Sequence, residues 1–206
     1  MPEIDTFLIK DEGLEKKIET VMTGEGLSLA ALASQGVIAC DVEYGPEIAI
    51  LAEYNPKILI ATEPDSAFHH DRKEITRVLG LQAGKFPDLK IIRDFATNAL
   101  EQLHQNDPQL RVGLITRLYM FSDYYGYNSV ISFLRATDKL LFPGGVILAS
   151  LEVMDNEVSH GVPFFRAGTQ ILKFELGYDT RWPVIEYPDE HSGQPWLVAI
   201  KPKTGS

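Results

Sequence analysis

Cysteine is nearly absent from this sequence, which has Cys40 alone among 206 residues. A lone cysteine excludes an intrachain disulfide, and we therefore expect a reducing environment, the cytoplasm. Long hydrophobic runs are missing as well. No apolar stretch approaches the roughly 20 residues of a membrane-spanning helix, so no membrane partner is expected. The first residues carry acids where a signal peptide would be basic and apolar, so export is not expected either.

Basic residues are few, because 19 Lys and Arg stand against 29 Asp and Glu, a formal net charge of −10. A broad surface for a phosphate backbone needs an excess of positive charge, so we do not expect a nucleic-acid partner. The hydrophobic fraction of 45% and the charged fraction of 23% are typical of a globular chain. With neither repeats nor a linker, residues 1–206 are treated as a single domain.

The sequence offers neither a convincing metal site nor a catalytic triad. His69 and His70 are adjacent in a predicted helix that ends at Gly80. Neighbouring side chains on a helix point about 100° apart, so the two imidazoles cannot bind one ion without distortion. No metal is predicted, and the catalytic residue is left unassigned.

A strand–helix–strand unit lies near the middle of the first half of the chain. Residues 37–40 form an apolar run typical of a strand buried on both faces, and Asp41 closes it. Pro46 suits the first position of a helix, where its missing N–H costs nothing. A second apolar strand over 57–61 leads to Glu63. These features predict a βαβ unit, with the helix start and Glu63 at the same edge of the sheet.

Further apolar segments follow in alternation with helical ones. Strands are predicted at 89–92, 111–116 and 146–148, with a final pair at 184–187 and 196–200. A helix over 164–176 precedes the final pair and ends at Gly177. Alternating elements of this kind predict an α/β domain with a largely parallel sheet.

Two short segments resemble motifs of the class I S-adenosylmethionine-dependent methyltransferases. Residues 41–47, DVEYGPE, align with the glycine-rich turn (D/E)-x-G-x-G-x-G of that family. Gly45 keeps the middle glycine, while Glu43 and Glu47 stand at the other two glycine positions. Residues 141–145, LFPGG, match the L-x-P-G-G turn that leads into the fifth strand, where Pro-Gly supplies a turn with positive φ.

The resemblance implies a Rossmann-like three-layer sandwich. Its seven-stranded, mostly parallel sheet would carry an antiparallel terminal strand and helices on both faces. This core would span 37–201. Residues 1–36, with apolar side chains at helical spacing, would form either a lid over the site or a helical cover on one side of the sheet.

The resemblance also implies S-adenosylmethionine as cofactor. Glu63 stands where the family binds the ribose hydroxyls, and Asp94 with Phe95 stands where it holds the adenine. The predicted cofactor-binding residues are Asp41, Glu43, Gly45, Glu63, Asp94, Phe95 and Arg117.

The function implied is methyl transfer to a small or medium-sized acceptor. Four tyrosines follow the fourth strand, at the edge where open α/β sheets bind their ligands, and we predict acceptor contacts from Tyr124, Tyr125 and Tyr127. Packing beneath the lid is the alternative for them. The two glutamates at glycine positions favour a second hypothesis, a non-catalytic binding or scaffold protein, and other chemistry at the same cofactor site is a third. The oligomeric state stays open, a homo-oligomer included.

Overall fold

The computed structural model describes residues 12–42, 46–64, 86, 88–120, 127–151, 166, 168–185 and 194–203. Its strands are β1 (Val37–Cys40), β2 (Leu59–Thr62), β3 (Leu89–Ile92), β4 (Val112–Met120), β5 (Leu141–Leu151), β6 (Asp179–Arg181), β7 (Val184–Ile185) and β8 (Gln194–Ile200). Its helices are α1 (Glu12–Gly24), α2 (Leu29–Ala33), α3 (Pro46–Ala52), α4 (Ala96–Asn106), α5 (Tyr127–Leu140) and a π-helix (Gly168–Glu175). The helix predicted to end at Gly80 lies outside the described residues.

Seven strands lie side by side in the order β3-β2-β1-β4-β5-β8-β6, and β7 pairs with the start of β8. The first five run parallel to one another. β8 runs antiparallel to both of its neighbours, β5 and β6. The predicted sheet, mostly parallel with an antiparallel strand near its end, is therefore confirmed.

The central strands are buried because helices cover both faces of the sheet. One face packs against α4, α5 and the π-helix in a core that includes Leu100, Phe133 and Leu172. The other face packs against α1, α2 and α3. A parallel strand covered on both faces needs apolar side chains in both directions, which explains the uninterrupted apolar runs of β1 and β2.

The N-terminal helices pack closely on one face of the sheet. Leu14, Ile18, Val21 and Met22 of α1 are all buried in the core that α1 shares with α3 and the sheet. The side chain of Ser28 accepts a hydrogen bond from the Ala31 amide and so begins α2. The described part of 1–36, α1 and α2, therefore packs on this face of the sheet.

The end of the chain contains one strand more than the sequence predicts. The strand predicted at 184–187 is present as β7, which pairs with the start of β8. The strand that extends the main sheet is the additional β6, whose Thr180 aligns with Ala199 of β8. Pro183 follows β6, and its carbonyl accepts a hydrogen bond from the Trp196 amide. Proline cannot donate in a strand ladder, so the strand breaks there and only β7 resumes the pairing. Within the helix predicted over 164–176, Gly168–Glu175 form a π-helix.

Two predicted boundaries in the centre of the sheet also differ. β4 continues to Met120, four residues beyond the predicted end at 116. The LFPGG turn interrupts β5 rather than preceding it, since Val112 aligns with Leu141 but Leu114 aligns with Val146. Gly144 within that turn has a φ of 83°, as the motif predicted. None of the described helices is long and apolar enough to cross a membrane.

Candidate functional site

The carboxyl ends of β1 and β4 mark the switch point of this sheet, and the crevice there is the candidate ligand site. β1 pairs with β2 on one side and with β4 on the other. After β1 the chain adds β2 and β3 on one side, and it then returns to add β4 and β5 on the other side of β1. Open α/β sheets bind ligands at such a switch point, beyond the carboxyl ends of the strands.

Asp41, directly after β1, joins several elements at this point. Its φ of 52° is unusual for a residue with a side chain and turns the chain sharply out of the strand. One carboxylate oxygen accepts a hydrogen bond of 3.0 Å from the Ala96 amide at the start of α4. The other lies 2.6 Å from a guanidinium nitrogen of Arg117. The Asp41 amide donates to the Thr62 hydroxyl at 3.1 Å.

Arg117 holds its position from the opposite side of the crevice. It belongs to β4, and only 3% of its side chain is exposed. Its guanidinium carbon lies 4.5 Å from the centre of the Phe133 ring of α5, close enough for a cation–π interaction. The ion pair and the ring together fix the guanidinium inside the protein.

Glu63 follows β2 and its side chain is only 1% exposed. Its amide donates a hydrogen bond of 3.1 Å to the Ile92 carbonyl at the end of β3, which fixes the backbone there. Glu63 therefore lies at the carboxyl edge of the sheet, at the end of the strand next to β1, where the resemblance implies a ribose-binding acid.

Glu47 in the first turn of α3 is also buried. Its position near the positive end of a helix favours a negative charge.

The Cys40 thiol lies close enough to these carboxylates for their charges to change its pKa. Burial raises the pKa of Cys40 well above its usual range, and the charges of Asp41 and, more weakly, Glu47 raise it further. A thiol in this environment is an inert core group.

Asp94 and Phe95 precede α4 and differ in what they present to the crevice. One Asp94 oxygen accepts hydrogen bonds from the Phe95 amide at 2.8 Å and the Asn98 side chain at 2.9 Å. Its second oxygen accepts one from Gln102 at 2.9 Å. Phe95, in contrast, is 43% exposed, a large fraction for an aromatic ring. The ring is therefore available to a flat ligand, whereas the Asp94 carboxylate is directed along its own helix.

The other predicted residues fall outside what the structure describes. This holds for Glu43, Gly45, Tyr124 and Tyr125, and for the side chain of Tyr127, whose backbone begins α5. Sequence reasoning missed Thr62 and Phe133, which support Asp41 and Arg117. In the sequence, Thr62 and Phe133 look like ordinary core residues of a strand and a helix, and no local sequence pattern indicates a role at the site. Within the described ranges, no group of three or more His, Cys, Asp or Glu residues is arranged to hold a metal ion.

No family model and no curated protein matches the sequence. Solved structures match over nearly the whole chain. The O-methyltransferase from Bacillus cereus in complex with S-adenosylhomocysteine (SAH) is 13% identical with a TM-score of 0.62, over 94% of this chain and 93% of that chain. The chain has the class I methyltransferase fold.

Two further structures widen the comparison within this fold. The rRNA methylase from Streptococcus thermophilus is 12% identical with a TM-score of 0.57, over 85% of this chain and 92% of that chain. Fibrillarin from Aeropyrum pernix, with natively bound S-adenosyl-L-methionine, is 12% identical with a TM-score of 0.58, over 88% of this chain and 73% of that chain. At these identities the likeness establishes the fold, and the class I methyltransferase fold hosts the crevice described above.

Proposed function

We propose that the protein is an S-adenosylmethionine-dependent methyltransferase. The observation that carries the proposal is the position of Glu63, a buried carboxylate at the carboxyl end of β2, in a chain that superposes nearly end to end on an SAH-bound O-methyltransferase. The fold by itself does not decide function, so the residues at the edge have to fit the cofactor.

The described residues fit the nucleoside part of such a cofactor. Glu63 would accept hydrogen bonds from the two ribose hydroxyls, the pair of donors that a buried carboxylate suits. The exposed ring of Phe95 would pack against the adenine. Asp94 would contribute by holding the Phe95 amide and with it the position of the ring. Glu43 and Gly45 would lie at the methionine end.

The bound cofactor would supply a methyl group on a positively charged sulfur, open to attack by an acceptor atom. The chain then contributes chiefly by position, because an in-line transfer gains most of its rate from the alignment of donor and acceptor. A general base is needed only for an acceptor that is protonated at the working pH. We propose that Tyr124, Tyr125 and Tyr127 contact the acceptor.

The acceptor is proposed to be a small or medium-sized molecule. The net charge of −10 favours this over a nucleic acid. The matching structures include an rRNA methylase and a fibrillarin. Net charge alone is therefore not enough to exclude RNA as the acceptor. A panel of acceptors that includes RNA oligonucleotides separates the two classes.

Calorimetric titration with SAH tests the proposed function. Wild-type protein is expected to bind, and Glu63→Gln to bind roughly tenfold to a hundredfold more weakly, since each charged hydrogen bond contributes about 1.5–3 kcal/mol. Glu175→Gln is the matched control. Glu175 is the last residue of the π-helix, is half-exposed, and pairs with Arg135 of α5. The π-helix ends near β6, at the edge of the sheet opposite to β3.

Absence of SAH and S-adenosylmethionine binding in wild-type protein would overturn the proposal and favour the scaffold hypothesis. Unchanged affinity in Glu63→Gln with a lowered melting temperature would give Glu63 a structural role alone.

A further inference from the structure

The ion pair of Asp41 and Arg117 lies at the switch point of the sheet and is almost enclosed. The exposed fractions of the two side chains are 12% and 3%. Through this pair and its hydrogen bonds, the ends of β1, β2 and β4 and the start of α4 are joined within a few ångströms. The Phe133 ring adds α5 to the same junction.

Stability alone does not account for such a pair. Removing two charges from water costs several kcal/mol per ion, and an apolar pair of similar volume is often as stable or more so. The positive φ of Asp41 adds a further local cost. A costly arrangement held by this many contacts is typical of a place where the direction of the chain matters more than stability.

The pair fixes the positions of the strand ends around it. Asp41 directly follows β1, and Arg117 lies in β4, which ends at Met120. In the proposed enzyme the end of β1 would lie beside the cofactor and the end of β4 toward the acceptor. Each Asp41 oxygen already accepts a hydrogen bond within the protein.

We infer that Asp41 and Arg117 are a pair of positioning residues that sets the end of β1 and the start of α4 relative to β4, rather than two direct cofactor ligands. This replaces the direct contacts that the resemblance implied for them. The inference rests on the proposed function only where a bound cofactor is the readout, since the coupling of β1 to β4 exists without one.

The first experiment needs no ligand and measures amide hydrogen exchange by NMR in the whole protein. Arg117→Met removes one partner, so the amides of Asp41 and Ala96 are expected to exchange at least tenfold faster than in wild-type protein. The control is Arg135→Met, which removes the cation of an exposed pair between α5 and the π-helix. Unchanged exchange at Asp41 and Ala96 would overturn the inference, whether or not any cofactor binds.

The second experiment is a double-mutant cycle with SAH affinity as readout, on Asp41→Asn, Arg117→Met and the double variant. If the two residues act as a positioning pair, each single variant should lose at least tenfold in SAH affinity. The double variant should lose no more than about threefold further, because both substitutions disrupt the same arrangement of β1 and β4. Losses that multiply to a hundredfold or more would show independent ligand contacts and contradict the inference. So would unchanged affinity in all three variants with lowered melting temperatures, which marks a purely structural pair. Failure of wild-type protein to bind SAH refutes the proposed function instead, and the exchange experiment then tests the coupling of β1, α4 and β4 by itself, with unchanged exchange as the result that contradicts it.

Discussion

Replacement of Gly113 by alanine tests how tightly the N-terminal helices are fixed to the sheet. Gly113 lies in β4 where the register with β5 shifts, and α2 passes directly over it. A Cβ at this position would overlap the carbonyl oxygen of Leu32 and approach the Gln35 side chain at 3.0 Å. The obstructing atom belongs to the backbone and cannot rotate away, so α2 as a whole has to move.

The expected cost follows from that displacement. Overpacking of a well-packed contact typically costs about 1–3 kcal/mol. A domain of this length loses about 2–4 °C of melting temperature per kcal/mol, so Gly113→Ala should lower it by about 2–12 °C. Calorimetry or urea unfolding gives the value directly.

Gly24→Ala provides the control, because a Cβ there meets no atom within 4 Å. Gly24 ends α1, and alanine is the better helix former, so stability should stay the same or rise by up to about 1 kcal/mol. Equal stability of Gly113→Ala and wild-type protein would refute the close packing of α2 on β4. The N-terminal segment would then be better described as a movable lid than as a fixed cover.

Two further predictions concern the buried groups Cys40 and Tyr178. Native Cys40 should resist Ellman's reagent at pH 8 and react fully in guanidinium chloride, since burial and the Asp41 charge raise its pKa; rapid native labelling would contradict its burial. Burial, with the charge of Asp138 next, also raises the pKa of Tyr178, whose hydroxyl donates to Asp138 at 2.8 Å. Because the pKa is raised in the folded state, the free energy of unfolding falls as the pH rises past about 10, the pKa of an unperturbed tyrosine. Tyr178→Phe should make this fall with pH less steep. An equal slope in both proteins would refute this.

The sequence predicted the parallel half of the fold well for a physical reason. Strands covered on both faces need uninterrupted apolar runs, and residues 37–40 and 58–61 show them, although β2 itself begins at Leu59 and ends at Thr62. The terminal strands were harder to place, because β6 has the polar sequence Asp-Thr-Arg and is a strand only through its pairing with β8. Its Arg181 also contacts Glu25 in the turn after α1, a partner 156 residues away that no local pattern reveals.

The candidate site was predictable only in part. Position directly after a strand was enough to place Asp41 and Glu63 at the carboxyl edge of the sheet, whereas Arg117 lies within β4, which continues to Met120. Their partners were not predictable, since the ion pair of Asp41 and Arg117 depends on β1 and β4 being neighbours. For Asp94 the position was predicted, but its bonds to Asn98 and Gln102 follow from the path of its own helix.

The most direct test of the proposed function is a crystal structure of the protein with SAH. If the proposed cofactor site is correct, the two ribose hydroxyls lie within hydrogen-bond distance of the Glu63 carboxylate, and the adenine packs against the Phe95 ring. The ion pair of Asp41 and Arg117 is expected to stay intact beside the ligand. SAH found elsewhere on the protein, or absent at saturating concentration, would contradict the proposed cofactor site.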